Sequence, residues 1–188
     1  MERGRSRPRL AASAAAFVST LLHPLLLIPV TVLFLTRDLR VSALLAAATV
    51  LPLLVITLRN LRRGTWSNFD VSDRGQRGGL YYAAVPLTFV GAGVMYASGA
   101  APSMVRGTLI VGGLLLAALL LSPWLKTSLH MLFAGWCGVL VMRAVPETIW
   151  FVPVLVVLLA WSRLYLKRHA AAEVVVGFAL GAVGAWLA

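Results

Sequence analysis

Long apolar stretches constrain the fold of this chain more than any other feature. A helix that crosses a bilayer needs about 20 mainly apolar residues, and seven stretches of the sequence approach or exceed that length. They are residues 11–36, 41–58, 79–98, 104–122, 127–143, 148–166 and 171–188. The sequence therefore predicts an all-α, polytopic bundle of transmembrane helices with six to seven spans, the lower number allowing for one re-entrant or kinked piece.

Composition supports a membrane setting and a single domain. The chain is 60% hydrophobic and only 12% charged, and its mean hydropathy is +0.89. These values lie outside the range of soluble globular domains. No linker interrupts the sequence, so we expect one domain over residues 1–188, beginning with a basic tail at 1–10. The single cysteine, Cys137, excludes an internal disulfide and a cysteine metal cluster, and it is predicted to fill the core.

Proline and glycine positions predict local features of the helices. Pro24 and Pro29 fall within the first apolar stretch and predict a kink there, because proline removes a helical hydrogen bond. Gly177, Gly181 and Gly184 recur along the last stretch. Small residues at such spacing favour close helix packing in lipid.

The distribution of basic residues predicts the orientation. The net charge is +11, and with seven spans most cations lie on the face of the N-terminus and of the loops near 59–78, 123–126 and 163–170. The opposite face keeps Arg37, Arg40, Arg106 and Arg143. Because positive residues favour the cytoplasm, the first face is predicted to be cytoplasmic in a multi-pass protein of the cell membrane. The charge also suits contact with anionic membrane lipids, whereas nucleic acid is not an expected partner.

A polar patch near the C-terminus is the first candidate site. Arg163, His169 and Glu173 lie there within an otherwise lipid-like chain, and charges at membrane depth are costly and usually functional. His169 and Glu173 are four residues apart, which predicts that they share one helical face and that the carboxylate orients the imidazole ring. The planar guanidinium of Arg163 suits phosphate. This pattern predicts a nucleophile or a base beside an anion site.

The same residues carry a family resemblance. Ser162-Arg163, five residues, His169, three residues and Glu173 resemble the third motif of the type 2 phosphatidic acid phosphatase superfamily, with glutamate in place of the usual aspartate. The second motif of that family, Pro-Ser-Gly-His, is similar to the segment at 127–130, which keeps Ser128 and His130.

The first motif departs further from the family pattern. The family has Lys, six residues and Arg-Pro, and the corresponding segment here has Asp70 at the lysine position, Arg77 at the arginine and Gly78 at the proline. The three motifs follow the family order across roughly the C-terminal two thirds of the chain. With seven spans they also fall on the same face of the membrane.

The resemblance implies a lipid phosphatase that works through a phosphohistidine. His169, oriented by Glu173, is then the nucleophile, and His130 protonates the leaving oxygen and later activates water. The implied phosphate-binding residues are Arg163, Lys126, Ser128, Arg77 and Arg74. The mechanism needs neither a metal nor another cofactor, and the substrate is a phosphorylated lipid or polyprenyl carrier with one or two phosphates.

Lys126 is the most specific expectation for this chain. The sequence has only two lysines, Lys126 and Lys167, so no lysine can stand at the first-motif position. Lys126, two residues before Ser128, is predicted to restore the missing cation. The alternative is an interfacial lysine that extends to water. Arg77 is favoured over Arg74 because its position matches the family arginine.

Two other functions remain as alternatives. The segment Asn68 to Asp73 is similar to the first aspartate motif of magnesium-dependent intramembrane prenyltransferases, but a second aspartate cluster is absent from the sequence. The other alternative is a non-catalytic lipid-binding membrane protein. His23, which has no acidic neighbour in sequence, is predicted to be a packed histidine.

Overall fold

The computed structural model describes residues 6–188, and these residues form eight helices without a strand. The helices are α1 (Ser6–Leu21), α2 (Pro24–Thr36), α3 (Leu39–Arg62), α4 (Arg74–Ala97), α5 (Pro102–Leu121), α6 (Leu129–Ala144), α7 (Val152–Tyr165) and α8 (Ala171–Leu187). A short 3₁₀ turn, Pro146–Trp150, precedes α7. The all-α prediction is confirmed. Of the basic tail, residues 1–5 lie outside the described residues, and α1 begins at Ser6.

Four of the described helices are long and apolar enough to cross a membrane. They are α3, α4, α5 and the segment Pro146–Tyr165 that contains α7. A fifth span arises if α1 and α2 are counted together as one bent crossing. Helices α6 and α8 are apolar but have only 16 and 17 residues, short of the roughly 20 that a straight span needs. A membrane protein is therefore supported, whereas the predicted count of six to seven spans is not confirmed.

The junction between α1 and α2 shows the kink that the prolines predict. The two helices are bent by 50° relative to each other. Pro24 is the first residue of α2, and the Nδ1 atom of His23 accepts a hydrogen bond from the Leu25 N–H at 3.2 Å. His23 thus caps α2, because its side chain satisfies one of the free amide groups at the helix start.

Three interhelical connections meet at one end of the bundle. The ammonium group of Lys126, between α5 and α6, donates to the carbonyl of Ser72 at 3.1 Å and to that of Arg168 at 2.8 Å. Ser72 belongs to the α3–α4 connection and Arg168 to the α7–α8 connection. The same end also receives the C-terminal part of α1, because Ser162 of α7 donates to the carbonyl of Ala15 at 2.6 Å.

The opposite end is held by other contacts. Arg143, at the end of α6, donates to the carbonyl of Ala185 near the end of α8 at 2.6 Å. Arg106, near the start of α5, donates to the carbonyl of Ala188. These bonds place the start of α5 and the ends of α6 and α8 together, away from the connections that carry the motifs.

Glycines bring α6 and α8 close together. A side chain on Gly177 would come within 2.6 Å of the Ser128 carbonyl, and one on Gly181 would overlap the carbonyl of Leu132. The backbone N–H of Ser128 also donates to the carbonyl of Glu173 at 3.1 Å. The predicted role of these two glycines in close packing is confirmed. Because of this contact, the start of α6 lies directly beside the start of α8.

Candidate functional site

His169 and Glu173 form a hydrogen-bonded pair at the start of α8. The Nδ1–H of His169 donates to Oε2 of Glu173 at 2.8 Å, and the Ala170 N–H donates to the same oxygen at 3.2 Å. The prediction that both residues lie on one helix is wrong, because α7 ends at Tyr165 and α8 begins only at Ala171. The pair forms nevertheless, since Glu173 in the first turn of α8 reaches back to the residues that precede the helix.

The chemical state of His169 suits a nucleophile. Burial, followed by the positive charges of Arg77, Arg163 and Lys126, lowers the pKa of His169 from 6.5 to about 2. The ring is therefore neutral at ordinary pH, with its proton on Nδ1. Its Nε2 atom is buried and has no hydrogen-bond partner among the described residues, so the lone pair of Nε2 is free to attack an electrophile.

Arg163 connects three elements at the same end. Its side chain is 1% exposed, and Nη1 donates to Oδ2 of Asp70 at 2.7 Å and to Oγ of Ser19 at 2.6 Å. Asp70 lies in the α3–α4 connection and Ser19 in α1. The Nε atom of Arg163 has no partner within the described chain. Arg163 is thus held in position while one of its donors stays available.

Arg77 supplies a second buried guanidinium. It lies in the first turn of α4 and is 3% exposed. Its Nε and Nη1 atoms are buried without a hydrogen-bond partner in the described part of the protein. A buried donor without a partner costs roughly 1–3 kcal/mol, and more when the group is charged. Such donors indicate a place for an acceptor, and an oxyanion is the acceptor that fits them best.

Ser128 and His130 complete the cluster at the start of α6. Ser128 is fully buried, His130 is 4% exposed, and neither the Oγ of Ser128 nor the Nε2 of His130 has a hydrogen-bond partner within residues 6–188. We call Arg77, Ser128, His130, Arg163 and His169 the polar cluster. It combines two imidazole nitrogens with guanidinium and hydroxyl donors, which is the chemistry needed to hold a phosphate and to attack it.

Asp70 and His23 join the cluster although the sequence did not single them out as site residues. Asp70 Oδ1 lies 3.7 Å from Nε2 of His23 and 4.0 Å from Nε2 of His130. The rings of His23 and His130 meet edge to face at 4.9 Å. The prediction of His23 as a packed histidine missed this contact because Asp70 is far from it in sequence. The only local feature that marked His23 was its position directly before a helix-breaking proline.

These three residues are also the candidate metal ligands in the described chain. One ligand atom from each lies within 4.8 Å of the others. A metal on His23 would need the lone pair of Nε2, but the Leu25 N–H donates to Nδ1, so the ring proton of neutral His23 resides on Nε2. The charge of Arg163 on the other oxygen of Asp70 also opposes a bound cation. The arrangement favours proton sharing over metal binding.

Lys126 lies at the edge of the polar cluster. Besides its two backbone bonds, its ammonium is 4.0 Å from Oε2 of Glu173. Burial is the main cause that lowers the pKa of Lys126, while Glu173 acts in the opposite direction. Its side chain points toward the Glu173–His169 pair, and whether it contacts a phosphate remains a prediction.

Arg74 is placed differently from the other predicted phosphate ligands. It is exposed, and its guanidinium donates to the carbonyls of Ser122 at 3.1 Å and Pro123 at 2.6 Å. These bonds tie the start of α4 to the α5–α6 connection. The structure therefore brings seven of the eight predicted site residues around the cluster and holds Arg74 in a structural contact outside it.

Comparisons with protein-family models, with curated proteins and with solved structures find no match to this chain.

Proposed function

We propose that this chain is an integral membrane lipid phosphatase, a divergent member of the type 2 phosphatidic acid phosphatase superfamily. One observation carries the proposal: the free Nε2 of His169 lies in a cluster with buried donors of Arg77, Arg163 and Ser128 that have no partner within the described residues. A phosphoryl group would satisfy those donors and present phosphorus to the nitrogen. The three motifs that resemble the family supply every member of this cluster.

The proposed reaction has two steps. In the first, Nε2 of His169 attacks phosphorus, a P–N bond forms, the P–O bond to the lipid breaks, and His130 donates a proton to the leaving oxygen. In the second, His130 takes a proton from water, the water oxygen attacks phosphorus, and the P–N bond breaks to release phosphate. The guanidinium groups offset the negative charge that builds on the non-bridging oxygens. The proton of His169 stays on Nδ1, beside Glu173.

The same proposal includes six to seven membrane passes with the site at the cytoplasmic face. The shared bonds of Lys126 with Ser72 and Arg168 support a common face for the three motif-bearing connections. The surplus of positive residues in these connections supports a cytoplasmic orientation. For a seven-pass chain, α1 and α2 would cross together as one bent span, and α6 and α8 would cross as short helices. A locally thinner bilayer accommodates such helices at modest cost.

A phosphate-release assay tests the function. The purified protein in detergent is offered polyprenyl phosphate and diphosphate, a phosphoribosylated polyprenyl lipid, phosphatidylglycerophosphate and phosphatidic acid, each with and without excess chelator. We expect release from at least one lipid in both conditions and none from His169→Ala. Strict magnesium dependence would favour the prenyltransferase-like alternative. Absence of release from every lipid would favour a non-catalytic lipid-binding protein.

A further inference from the structure

A large apolar cavity begins at the polar cluster. Its volume is about 400 Å³, and His23, Asp70, Arg77 and His130 line its polar end. From there it continues between α2, α3, α4, α5 and α6, where leucine, valine, alanine, threonine and phenylalanine side chains form the walls. Of these four polar residues, Arg77 and His130 have buried side-chain atoms without a partner among the described residues. The cavity and the phosphate-binding groups are therefore continuous.

The far end of the cavity lies near the opposite end of the bundle. Gly107 of α5 and Trp136 of α6 line it, as does Leu140 one turn further along α6. The distance along α6 from His130 to Leu140 is about 15 Å at 1.5 Å per residue. A side chain added at Gly107 would meet Trp136 at 3.8 Å, which is an ordinary contact distance.

We infer that this cavity holds the hydrocarbon chain of a single-chain lipid phosphate while the phosphate lies in the polar cluster. The inference rests on the proposed function and narrows its substrate class. If a methylene group fills about as much space as a water molecule, ~30 Å³, the cavity takes on the order of a dozen carbons. Its length of roughly 15 Å matches one extended chain of that size. The two longer chains of a diacyl lipid exceed this volume, so single-chain lipids should be preferred.

Gly107 lies toward the far end of the cavity. Gly107→Leu adds a branched side chain at the far end, so chains long enough to reach it are obstructed and shorter ones are not. Gly113 is on the same helix, is exposed, and has no atom within 4 Å of an added side chain among the described residues. Gly113→Leu is therefore a matched control, with the same substitution in the same helix but outside the cavity.

The first experiment measures phosphate release as a function of chain length. The substrates are hexyl, dodecyl and hexadecyl phosphate, farnesyl phosphate and dipalmitoyl phosphatidate, all at equal mole fraction in detergent. We expect the wild type to prefer the single-chain lipids over phosphatidate. Gly107→Leu should lose about tenfold or more of its kcat/KM for dodecyl phosphate relative to hexyl phosphate, whereas Gly113→Leu should follow the wild type. Farnesyl and dodecyl phosphate together report whether the chain is prenyl or straight.

Two results would overturn the inference. One is the same chain-length profile for Gly107→Leu and Gly113→Leu, and the other is faster turnover of phosphatidate than of every single-chain lipid.

A second experiment is independent of turnover. Dodecyl phosphate with a diazirine near its chain end is photo-cross-linked to the intact protein, and the labelled peptides are mapped by mass spectrometry. Labelling should fall near Gly107, Trp136 and Leu140, and it should compete with unlabelled dodecyl phosphate. Cavity labelling without any phosphate release would contradict the proposed phosphatase function but would still support the cavity as the binding site of the lipid chain. Labelling only of lipid-facing residues such as Leu109, which is 45% exposed, would exclude the cavity as the chain site.

Discussion

Asp70 accepts a hydrogen bond from Arg163 at 2.7 Å, although the family resemblance puts a lysine at the position of Asp70. The lysine that the resemblance implies is replaced by an anion that pairs with Arg163, the arginine proposed to bind phosphate. On the proposed function, an incoming phosphate must therefore share Arg163 with Asp70 or displace its carboxylate. Because Asp70 also lies 4.0 Å from His130, it is placed to stabilise a proton on that ring.

Removing the charge of Asp70 should separate its competition with phosphate for Arg163 from its stabilisation of a proton on His130. In Asp70→Asn, Arg163 is released from its carboxylate, so vanadate or inorganic phosphate should inhibit about tenfold more tightly, corresponding to roughly 1.4 kcal/mol. The kcat should fall at the same time, because His130 loses the anion that favours its protonated form. Inhibition constants and kcat are measured on the same preparation.

Asp73→Asn is the matched control for that substitution. Asp73 caps α4 by accepting from the N–H groups of Gly75 and Gln76, and asparagine is an equally good N-cap. This variant should keep the inhibition constant and kcat near their wild-type values. Equal inhibition of Asp70→Asn and the wild type would show that the Asp70 carboxylate does not compete with phosphate.

The His169–Glu173 pair predicts two graded losses of activity. His169→Ala removes the proposed nucleophile and should lower kcat by about four orders of magnitude or more. Glu173→Gln keeps a side chain of the same size but no longer fixes the Nδ1–H tautomer, so kcat should fall by about a hundredfold or more with little change in KM. Retention of activity by His169→Ala within about tenfold of wild type would exclude His169 as the nucleophile.

The lowered pKa of His169 also predicts how stability depends on pH. The unfolded chain takes up a proton on this ring below about pH 6.5, whereas the folded protein does so only near its pKa of about 2. The unfolded state therefore binds more protons between these values, and the folded state loses stability as pH falls. In His169→Asn this contribution is absent, so the midpoint of thermal unfolding in detergent should fall less steeply between pH 6.5 and pH 4 than in the wild type. Parallel slopes would indicate that His169 is not held neutral by the fold.

The sequence predicted the contacts that depend on short spacing and missed those that depend on tertiary structure. Glu173 reaches His169 because the two are four positions apart, even though α8 begins only at Ala171, after His169. The contact between Arg163 and Asp70 joins residues 93 positions apart. No local pattern pointed to it, since Asp70 occupies a position where the resemblance led us to expect a lysine.

Helix ends explain why the span count was not confirmed. Hydropathy marks where apolar residues occur, but a helix ends where caps and connections satisfy its terminal amides and carbonyls. The fully buried Thr127 and Ser128 lie in the connection before α6 and leave that helix with 16 residues. The residues from Leu166 to Ala170, which include His169, likewise separate α7 from α8. The connections that shorten these helices carry catalytic candidates.

The close approach of α6 and α8 predicts a stability defect with a functional consequence. Gly177→Ala puts a methyl group 2.6 Å from the Ser128 carbonyl, so the helices must move apart. Overpacking of this kind costs about 1–3 kcal/mol, and it should lower the unfolding midpoint and the activity together. Gly93→Ala is the control, because no neighbouring atom of the described chain lies within 4 Å of a side chain there. Equal midpoints for the two variants would show that the helices can separate without cost.

Lys126 predicts a change on the alkaline side of the pH profile. Burial lowers the pKa of its ammonium group, so the positive charge is lost at a lower pH than for a lysine in water. If that charge supports the reaction, activity should fall as pH rises through the lowered pKa. Lys126→Arg keeps its charge at every accessible pH and should extend activity to higher pH, whereas Lys126→Ala should be strongly impaired throughout.

Lys167 provides the control for this last test. It is exposed in the turn after α7, where its φ is 54°, and within residues 6–188 it forms no hydrogen bond or ion pair with the polar cluster. Lys167→Ala should therefore keep the wild-type pH profile and nearly its full kcat. The profiles are recorded as kcat and kcat/KM against pH for all four proteins with one lipid phosphate. An unchanged alkaline limb in Lys126→Arg, together with near-normal turnover in Lys126→Ala, would reduce Lys126 to a structural link between Ser72 and Arg168.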